Sequence, residues 1–189
     1  MPQPADKDAV NPYASPRSTV ADPDPGAGAQ PVFFPVGTIK LAIMSLATLG
    51  LYQLYWSYRN WKSVQRLTGD KLSAPLRALF YPLTSYFLFK RMRNEARGLH
   101  QDLAISAGPL AIAVLVLTLL WRLPDPYWLV SLLAFVPFLP VQSQVNQLNQ
   151  KLASAADANS RLRGWNVVAI FVGGLVLALA VVGLFLGEE

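Results

Sequence analysis

The sequence predicts an all-α, polytopic membrane protein with about four transmembrane helices, one re-entrant or interfacial helix and a disordered N-terminal tail. Of its 189 residues 53% are hydrophobic and only 14% are charged, and the mean hydropathy is +0.33. Soluble domains usually carry about 25% charged residues. Several apolar runs approach the roughly 20 residues that a helix needs to cross a ~30 Å hydrocarbon core. The composition therefore favours a chain that is built around a bilayer.

The N-terminal segment 1–35 differs in composition from the rest of the chain. It holds eight of the fifteen prolines and a Gly-Ala run at 26–29. Proline fixes φ and removes a backbone donor, so this density opposes both helix and sheet. A signal peptide is not indicated, because no basic region followed by an apolar core is present. We expect a disordered tail over 1–35 and a helical membrane domain over 36–187.

Four apolar stretches are predicted to span the membrane, at about 36–57, 104–121, 127–141 and 165–187. The third is short, so tilt or local thinning of the bilayer is expected there. Small residues allow helix backbones to approach closely, within one chain or between two copies. The residues predicted to serve this packing are Gly50, Gly173, Gly174, Gly183 and Gly187.

Residues 74–90 fit a re-entrant or interfacial helix better than a full span. Only the twelve residues 78–89 are free of charge, and Pro82 interrupts them. Twelve residues are too few to cross the bilayer. Aromatic and basic side chains near this region are predicted to lie at the lipid interface. These residues are Trp56, Trp61, Lys90, Arg91, Arg93 and Arg97.

Charge predicts the orientation. Segments 59–103 and 142–164 together hold 12 of the 16 Lys and Arg residues and four acidic residues, a net charge of +8. The rest of the chain carries −3. Lys and Arg are retained on the cytoplasmic side of bacterial membranes. We therefore expect these two segments in the cytoplasm and both chain termini outside.

The polar stretch 142–163 carries apolar residues at helical three-four spacing, among them Val145, Leu148 and Leu152. A stripe of this kind packs onto its own protein or pairs with another chain. Packing within the chain is the favoured interpretation.

Candidate chemistry is sparse. The chain has no cysteine and one histidine, which excludes disulfides, thiol catalysis and multi-histidine metal sites. His100 lies near Glu95 and Asp102 without a nucleophile close in sequence, so a surface histidine is the favoured interpretation. No acidic residue falls inside a predicted span, which argues against a proton pathway. We predict no catalytic, cofactor-binding or metal-binding residues.

The segment Thr48–Trp56 reads T-L-G-L-Y-Q-L-Y-W. It resembles the T-x-G-[IL]-Y-x-x-Y-W signature of the first membrane helix in uncharacterised bacterial multi-pass membrane proteins. The pair Val145-Asn146, Asn159 and the pair Trp165-Asn166 are similar to a later pattern in one group of these proteins. The resemblance implies a bacterial cytoplasmic (inner) membrane location and assigns no activity.

Together these features predict a non-enzymatic integral membrane protein that scaffolds or regulates a membrane partner. One alternative is a small oligomeric channel or transporter, suggested by Thr84 and Ser85 beside Pro82. A second alternative is a membrane enzyme that binds lipid headgroups. The expected partners are the bilayer, anionic lipids at the basic face, and a further copy or another membrane protein. No nucleic-acid reading motif is recognised.

Overall fold

The computed structural model describes residues 30–71, 73–154 and 157–186. The prediction of disorder for 1–29 lies outside the described residues. Within the described residues the chain is helical and contains no strand, which confirms the predicted all-α class. Seven α-helices and two 3-10 segments follow one another. The α-helices are α1 (Thr38–Ala47), α2 (Leu51–Thr68), α3 (Ala74–Leu79), α4 (Tyr81–Gly98), α5 (Ala107–Leu119), α6 (Phe138–Leu152) and α7 (Gly164–Leu186), and the 3-10 segments are Leu120–Arg122 and Tyr127–Phe135.

The stretch 36–57, expected to be one continuous span, is instead two helices that reverse at Gly50. The N–H of Gly50 donates to the Ser45 carbonyl at 2.9 Å, and that of Leu49 donates to Leu46 at 3.1 Å. This pair of bonds is a Schellman motif, in which left-handed backbone conformations end a helix. Leu49 and Gly50 have φ of 49° and 94°. After this reversal α2 runs back past the segment that precedes α1, and the N–H of Phe34 donates to Asn60 Oδ1 at 3.2 Å.

A second reversal joins α3 to α4 at Phe80. Asp70 precedes α3, and its carboxylate pairs with Arg91 of α4 at 3.0 Å. The segment between them therefore returns to the end of the bundle from which it started. Thr84 hydroxyl donates across the turn to the Arg77 carbonyl at 2.6 Å. Gly69 caps α2 with φ 71°.

The third reversal lies between α5 and the 3-10 segment Tyr127–Phe135, which continues through Pro137 into α6. α7 then runs parallel to α1. Lys40 and Asn166 meet at the beginning of the two helices, and Ala47 meets Gly173 seven residues further on. At about 1.5 Å per residue α7 measures about 34 Å and α1 about 15 Å, so α7 extends well beyond α1.

The beginnings of α1 and α7 and the ends of α2, α4 and α6 form one end of the bundle, which we call the basic end. Arg66 ties the incoming chain to it, because its guanidinium donates to the carbonyls of Pro31 and Val32 at 2.5 and 2.9 Å. Residues 30–35, the last of the predicted tail, therefore lie at the same end of the bundle as the basic segments, whereas the sequence predicts the two on opposite sides of a membrane.

The core contains an aromatic cluster. Phe138 packs edge-on against Trp56 and Phe89, with ring centroids 5.0 and 5.8 Å apart. Large apolar side chains are exposed on the elements at the end opposite the basic end. They include Leu83 and Phe87 of α4, Ile112 and Leu119 of α5, Tyr127 and Leu133 of the 3-10 segment, and Phe171 and Leu179 of α7.

Within the described ranges two helical segments are long and apolar enough to cross a membrane, whereas the sequence predicts about four such spans. Gly164–Gly183 has mean hydropathy 2.5 in its most apolar window and none of that window is buried. Tyr127–Leu152 has mean hydropathy 1.5, and 39% of its window is buried. The apolar helices Thr38–Ala47 and Ala107–Arg122 are shorter.

Candidate functional site

Five amide side chains at the basic end form hydrogen bonds with the extended segment 31–36, which precedes α1. We call this group the amide clamp: Asn60 of α2, Gln142, Asn146 and Asn149 of α6, and Asn159 of the loop before α7. Val32, Phe33, Phe34 and Val36 are buried beneath it. The clamp therefore holds the last residues of the predicted tail inside the folded body.

Asn149 makes the most contacts with this segment. Its Oδ1 accepts from the N–H groups of Val32 and Phe33 at 2.9 and 3.3 Å, and its Nδ2 donates to the Phe33 carbonyl at 3.0 Å. Asn60 lies one residue further along the segment. Its Oδ1 accepts from Phe34, and its Nδ2 donates to the Trp56 carbonyl at 3.0 Å. Both side chains are buried.

Gln142 links the clamp to the aromatic core. Its Oε1 accepts from Trp56 Nε1 at 2.6 Å, and its Nε2 donates to the Phe34 carbonyl at 3.3 Å. Asn146 donates to the Val36 carbonyl at 2.9 Å, and Asn159 donates to the Pro35 carbonyl at 3.2 Å.

The clamp supplies the hydrogen bonds that a β-sheet would give to an extended chain. Buried backbone N–H and C=O groups without partners are costly, so a chain without neighbouring strands needs side chains to satisfy them. The sequence carried a signal for this arrangement. Gln142, Asn146 and Asn149 are spaced four and three apart, which places three uncharged amides on one helical face.

A cavity of about 470 Å³ opens beside the clamp, and we call it the basic cavity. It is bounded by the extended segment, the middle of α2, the loop at 157–163 and the first residues of α7. Its charged groups are Lys40, Arg59, Asp157 and Arg163, and its other lining residues are Pro31, Phe34, Pro35, Tyr52, Tyr55, Asn159, Trp165 and Asn166.

Lys40 forms one wall of the basic cavity and is only 6% exposed. Its ammonium donates to Asn159 Oδ1 and to the Arg161 carbonyl, both at 2.8 Å. With its amide oxygen turned inward, Asn166 accepts from the same ammonium at 3.0 Å and from the Arg163 N–H at 3.1 Å. Three neutral oxygens therefore accept the hydrogen bonds of the Lys40 ammonium, and none of them carries a negative charge.

The two arginines of the basic cavity differ in their partners. Arg163 pairs with Asp157 at 3.2 Å, and both side chains are more than 70% exposed. Arg59 donates to the Tyr55 hydroxyl at 2.9 Å and lies over the Phe34 ring at 4.7 Å. Within the described ranges no carboxylate pairs with Arg59. The charged groups of the cavity sum to +2.

The predicted lipid-facing role of Trp56 and Trp61 is corrected by their burial, since both are 0% exposed. Trp56 belongs to the aromatic core. Trp61 packs beneath the guanidinium of Arg77, whose Cζ lies 4.6 Å from its ring. Trp165 is instead 86% exposed, at the beginning of α7.

Most side chains of the basic cluster of α4 form ion pairs or hydrogen bonds within the protein. Arg91 pairs with Asp70, and Arg97 pairs with Asp102 at 3.2 Å. Arg93 donates to the Ile105 carbonyl at 3.4 Å, while Lys90 is exposed beside Tyr86. His100 is exposed and lies in the left-handed region at φ 57°, where it ends α4.

The predicted packing glycines separate into different roles. A Cβ on Gly173 would overlap the Ala47 carbonyl oxygen, so this residue permits the close contact of α7 with α1. Gly50 serves the turn through its positive φ. Gly174 and Gly183 have open space where a Cβ would lie. Gly187 lies outside the described residues.

Comparison with protein-family models, with curated proteins and with solved structures finds no match to this chain. The resemblance carried by Thr48–Trp56 therefore stays a prediction. Three residues of the later pattern, Asn146, Asn159 and Asn166, do share one location, because all of them contact residues 35–40. No group of three or more His, Asp or Glu side chains in the described ranges is placed to hold a metal ion.

Proposed function

We propose that the chain is a non-enzymatic integral protein of a bacterial cytoplasmic membrane, which anchors its N-terminal tail at the cytoplasmic surface and so scaffolds or regulates a membrane partner. The observation that carries this proposal is the amide clamp. It fixes the attachment point of a proline-rich segment at the same end as most of the Lys and Arg residues.

Exposed apolar side chains support membrane insertion. Leu83 of α4, Ile112 of α5 and Phe171 of α7 are 62%, 64% and 74% exposed. Soluble monomers rarely expose contiguous apolar patches of more than a few hundred Å². The buried amides at the basic end show the opposite pattern, with polar groups inside and charged groups outside. One half of the molecule thus suits lipid, and the other half suits water.

The reversals define the arrangement that we propose in the bilayer. α5, the segment Tyr127–Leu152 and α7 cross the hydrocarbon core. The hairpins α1–α2 and α3–α4 enter from the basic end and return to it. In this topology the N-terminal tail joins Lys40 and the other basic groups in the cytoplasm, leaving Arg122 as the one cationic residue on the far side.

Two measurements test this function. An integral protein stays in the membrane fraction at high pH and is released by detergent. The full chain and a chain that begins at Gln30 are then purified in mild detergent and compared. A stoichiometric partner that binds the full chain and not the shortened one supports the proposal. Recovery of monomer alone from both, or release at high pH without detergent, contradicts it.

A second candidate function, a small channel or transporter, has one observation in its favour. A cavity of about 270 Å³ lies at the α1–α2 reversal and is lined by Gln53, Thr118 and Ser131 among apolar residues. Polar groups at membrane depth are costly and often line a path for solutes. Flux across oriented proteoliposomes tests this function, and flux equal to that of empty vesicles rejects it.

A further inference from the structure

We infer that the basic cavity is a binding site for a phosphate group, carried by the headgroup of an anionic phospholipid or by a soluble phosphate ester. The inference rests on the proposed membrane location for its lipid form. The site is distinct from the α4 cluster Lys90–Arg97, which sequence patterns favour as the lipid-binding region.

The charge of the basic cavity is arranged for an anion. Lys40 holds a buried positive charge whose hydrogen bonds go to neutral oxygens. Arg59 is positioned by Phe34 and the Tyr55 hydroxyl, and no carboxylate in the described part of the chain neutralises it. An arginine that is already oriented loses less freedom when it binds a phosphate than a mobile one.

The backbone at the beginning of α7 adds to the positive potential of the basic cavity. Arg163, Trp165 and Asn166 line the cavity at the beginning of α7, which has 23 residues. A helix N-terminus carries partial positive charge and favours anions within its first turn. The one acidic group, Asp157, is shared with Arg163 at the exposed rim. An incoming phosphate therefore meets Arg59 directly and can replace the carboxylate at Arg163.

The position of the cavity suits a lipid headgroup. Trp165 at its rim is 86% exposed, and Ile39, next to Lys40, is 76% exposed. Both lie where the charged end meets the apolar surface of α7, the depth at which tryptophan is enriched in membrane proteins. A phosphodiester at this depth reaches the cations while its acyl chains lie along α7.

The test uses the purified full chain in an uncharged detergent, with native mass spectrometry of bound phosphatidylglycerol and phosphatidylcholine. The double variant Arg59→Gln, Arg163→Gln removes two cavity charges. The control Lys62→Gln, Lys151→Gln removes two exposed charges from the same end of the bundle. We expect the cavity pair to weaken phosphatidylglycerol binding about tenfold or more and the control pair less than about twofold. Equal losses in the two pairs, or no preference for phosphatidylglycerol, overturn the inference.

A variant that binds phosphatidylglycerol more tightly cannot owe this effect to misfolding, so a second substitution is chosen to increase binding. Asp157→Asn removes the only acidic group of the basic cavity, and we expect it to tighten phosphatidylglycerol binding about threefold. Unchanged or weaker binding counts against the site. Glycerol 3-phosphate identifies the source of the phosphate. If it competes at millimolar concentration and depends on the same arginines, the site takes soluble esters, and if it does not compete, the site takes lipid.

Failure of the inference is separable from failure of the proposed function. Every variant is also tested for retention in the membrane fraction at high pH. A chain that stays in the membrane but shows no cavity-dependent binding removes the phosphate site and leaves the anchoring function intact.

Discussion

The backbone N–H of Phe34 and Oδ1 of Asn60 lie 3.2 Å apart, although 26 residues separate them in the chain. In one continuous helix the two residues would be about 39 Å apart. The contact therefore requires the chain to turn back at Gly50, and it places the tail and the end of α2 together at the basic end.

This relationship predicts the labelling pattern of single cysteines, which the cysteine-free chain makes simple to test. Cysteine at Gln30 and at Lys62 should react with a membrane-impermeant maleimide only from the cytoplasmic side, because both positions lie at the basic end. Cysteine at Asp125 should react only from the opposite side. The topology is refuted if Gln30 labels together with Asp125 in intact cells.

The amide clamp predicts a large loss of stability when Asn149 is replaced by Ala. The substitution removes three hydrogen bonds and leaves Val32 and Phe33 with buried backbone groups that lack partners. We expect the free energy of unfolding to fall by about 2–4 kcal/mol, measured by denaturation in detergent. Gln150→Ala, at the exposed neighbouring position, should change it by less than about 0.5 kcal/mol. Similar losses for the two variants would argue against the clamp.

The hydrogen bonds of Lys40 to Asn159 and Arg161 are predicted to stabilise the loop before α7. Lys40→Met keeps most of the side-chain volume but leaves Asn159 and the Arg161 carbonyl without their donor. We expect faster cleavage by trypsin after Arg161 and Arg163, because the loop loses its attachment to α1. Lys151→Met, on the exposed surface of α6, serves as the control. An unchanged cleavage rate in Lys40→Met would show that the loop is held by other contacts.

Local patterns in the sequence predicted the helical class and the helical stripe at Val145 and Leu148, because each depends on neighbouring residues. The reversal at Gly50 was not predictable in this way, since an apolar run reads the same for a continuous span and for a hairpin. The basic cavity was hidden for a different reason. Its cations, Lys40, Arg59 and Arg163, come from three distant segments that only the folded chain brings together.

The adjacent glycines Gly173 and Gly174 of α7 provide a matched test of the contact between α7 and α1. A methyl group on Gly173 meets the carbonyl oxygen of Ala47, which is backbone and cannot rotate away. Gly173→Ala should therefore push α7 from α1 and lower the free energy of unfolding by about 1–3 kcal/mol. A methyl group on Gly174 meets open space within the described structure, and alanine favours helix over glycine by about 1 kcal/mol.

Gly174→Ala should accordingly leave stability unchanged or raise it. The displacement of α7 from α1 predicts a second effect of Gly173→Ala that a purely local change would not produce. Because α1 and α7 are parallel and also meet at Lys40 and Asn166, separating them should loosen the loop before α7 and speed trypsin cleavage after Arg163. Equal stability of the two alanine variants, or slower cleavage in Gly173→Ala, would place α7 away from α1 in the membrane.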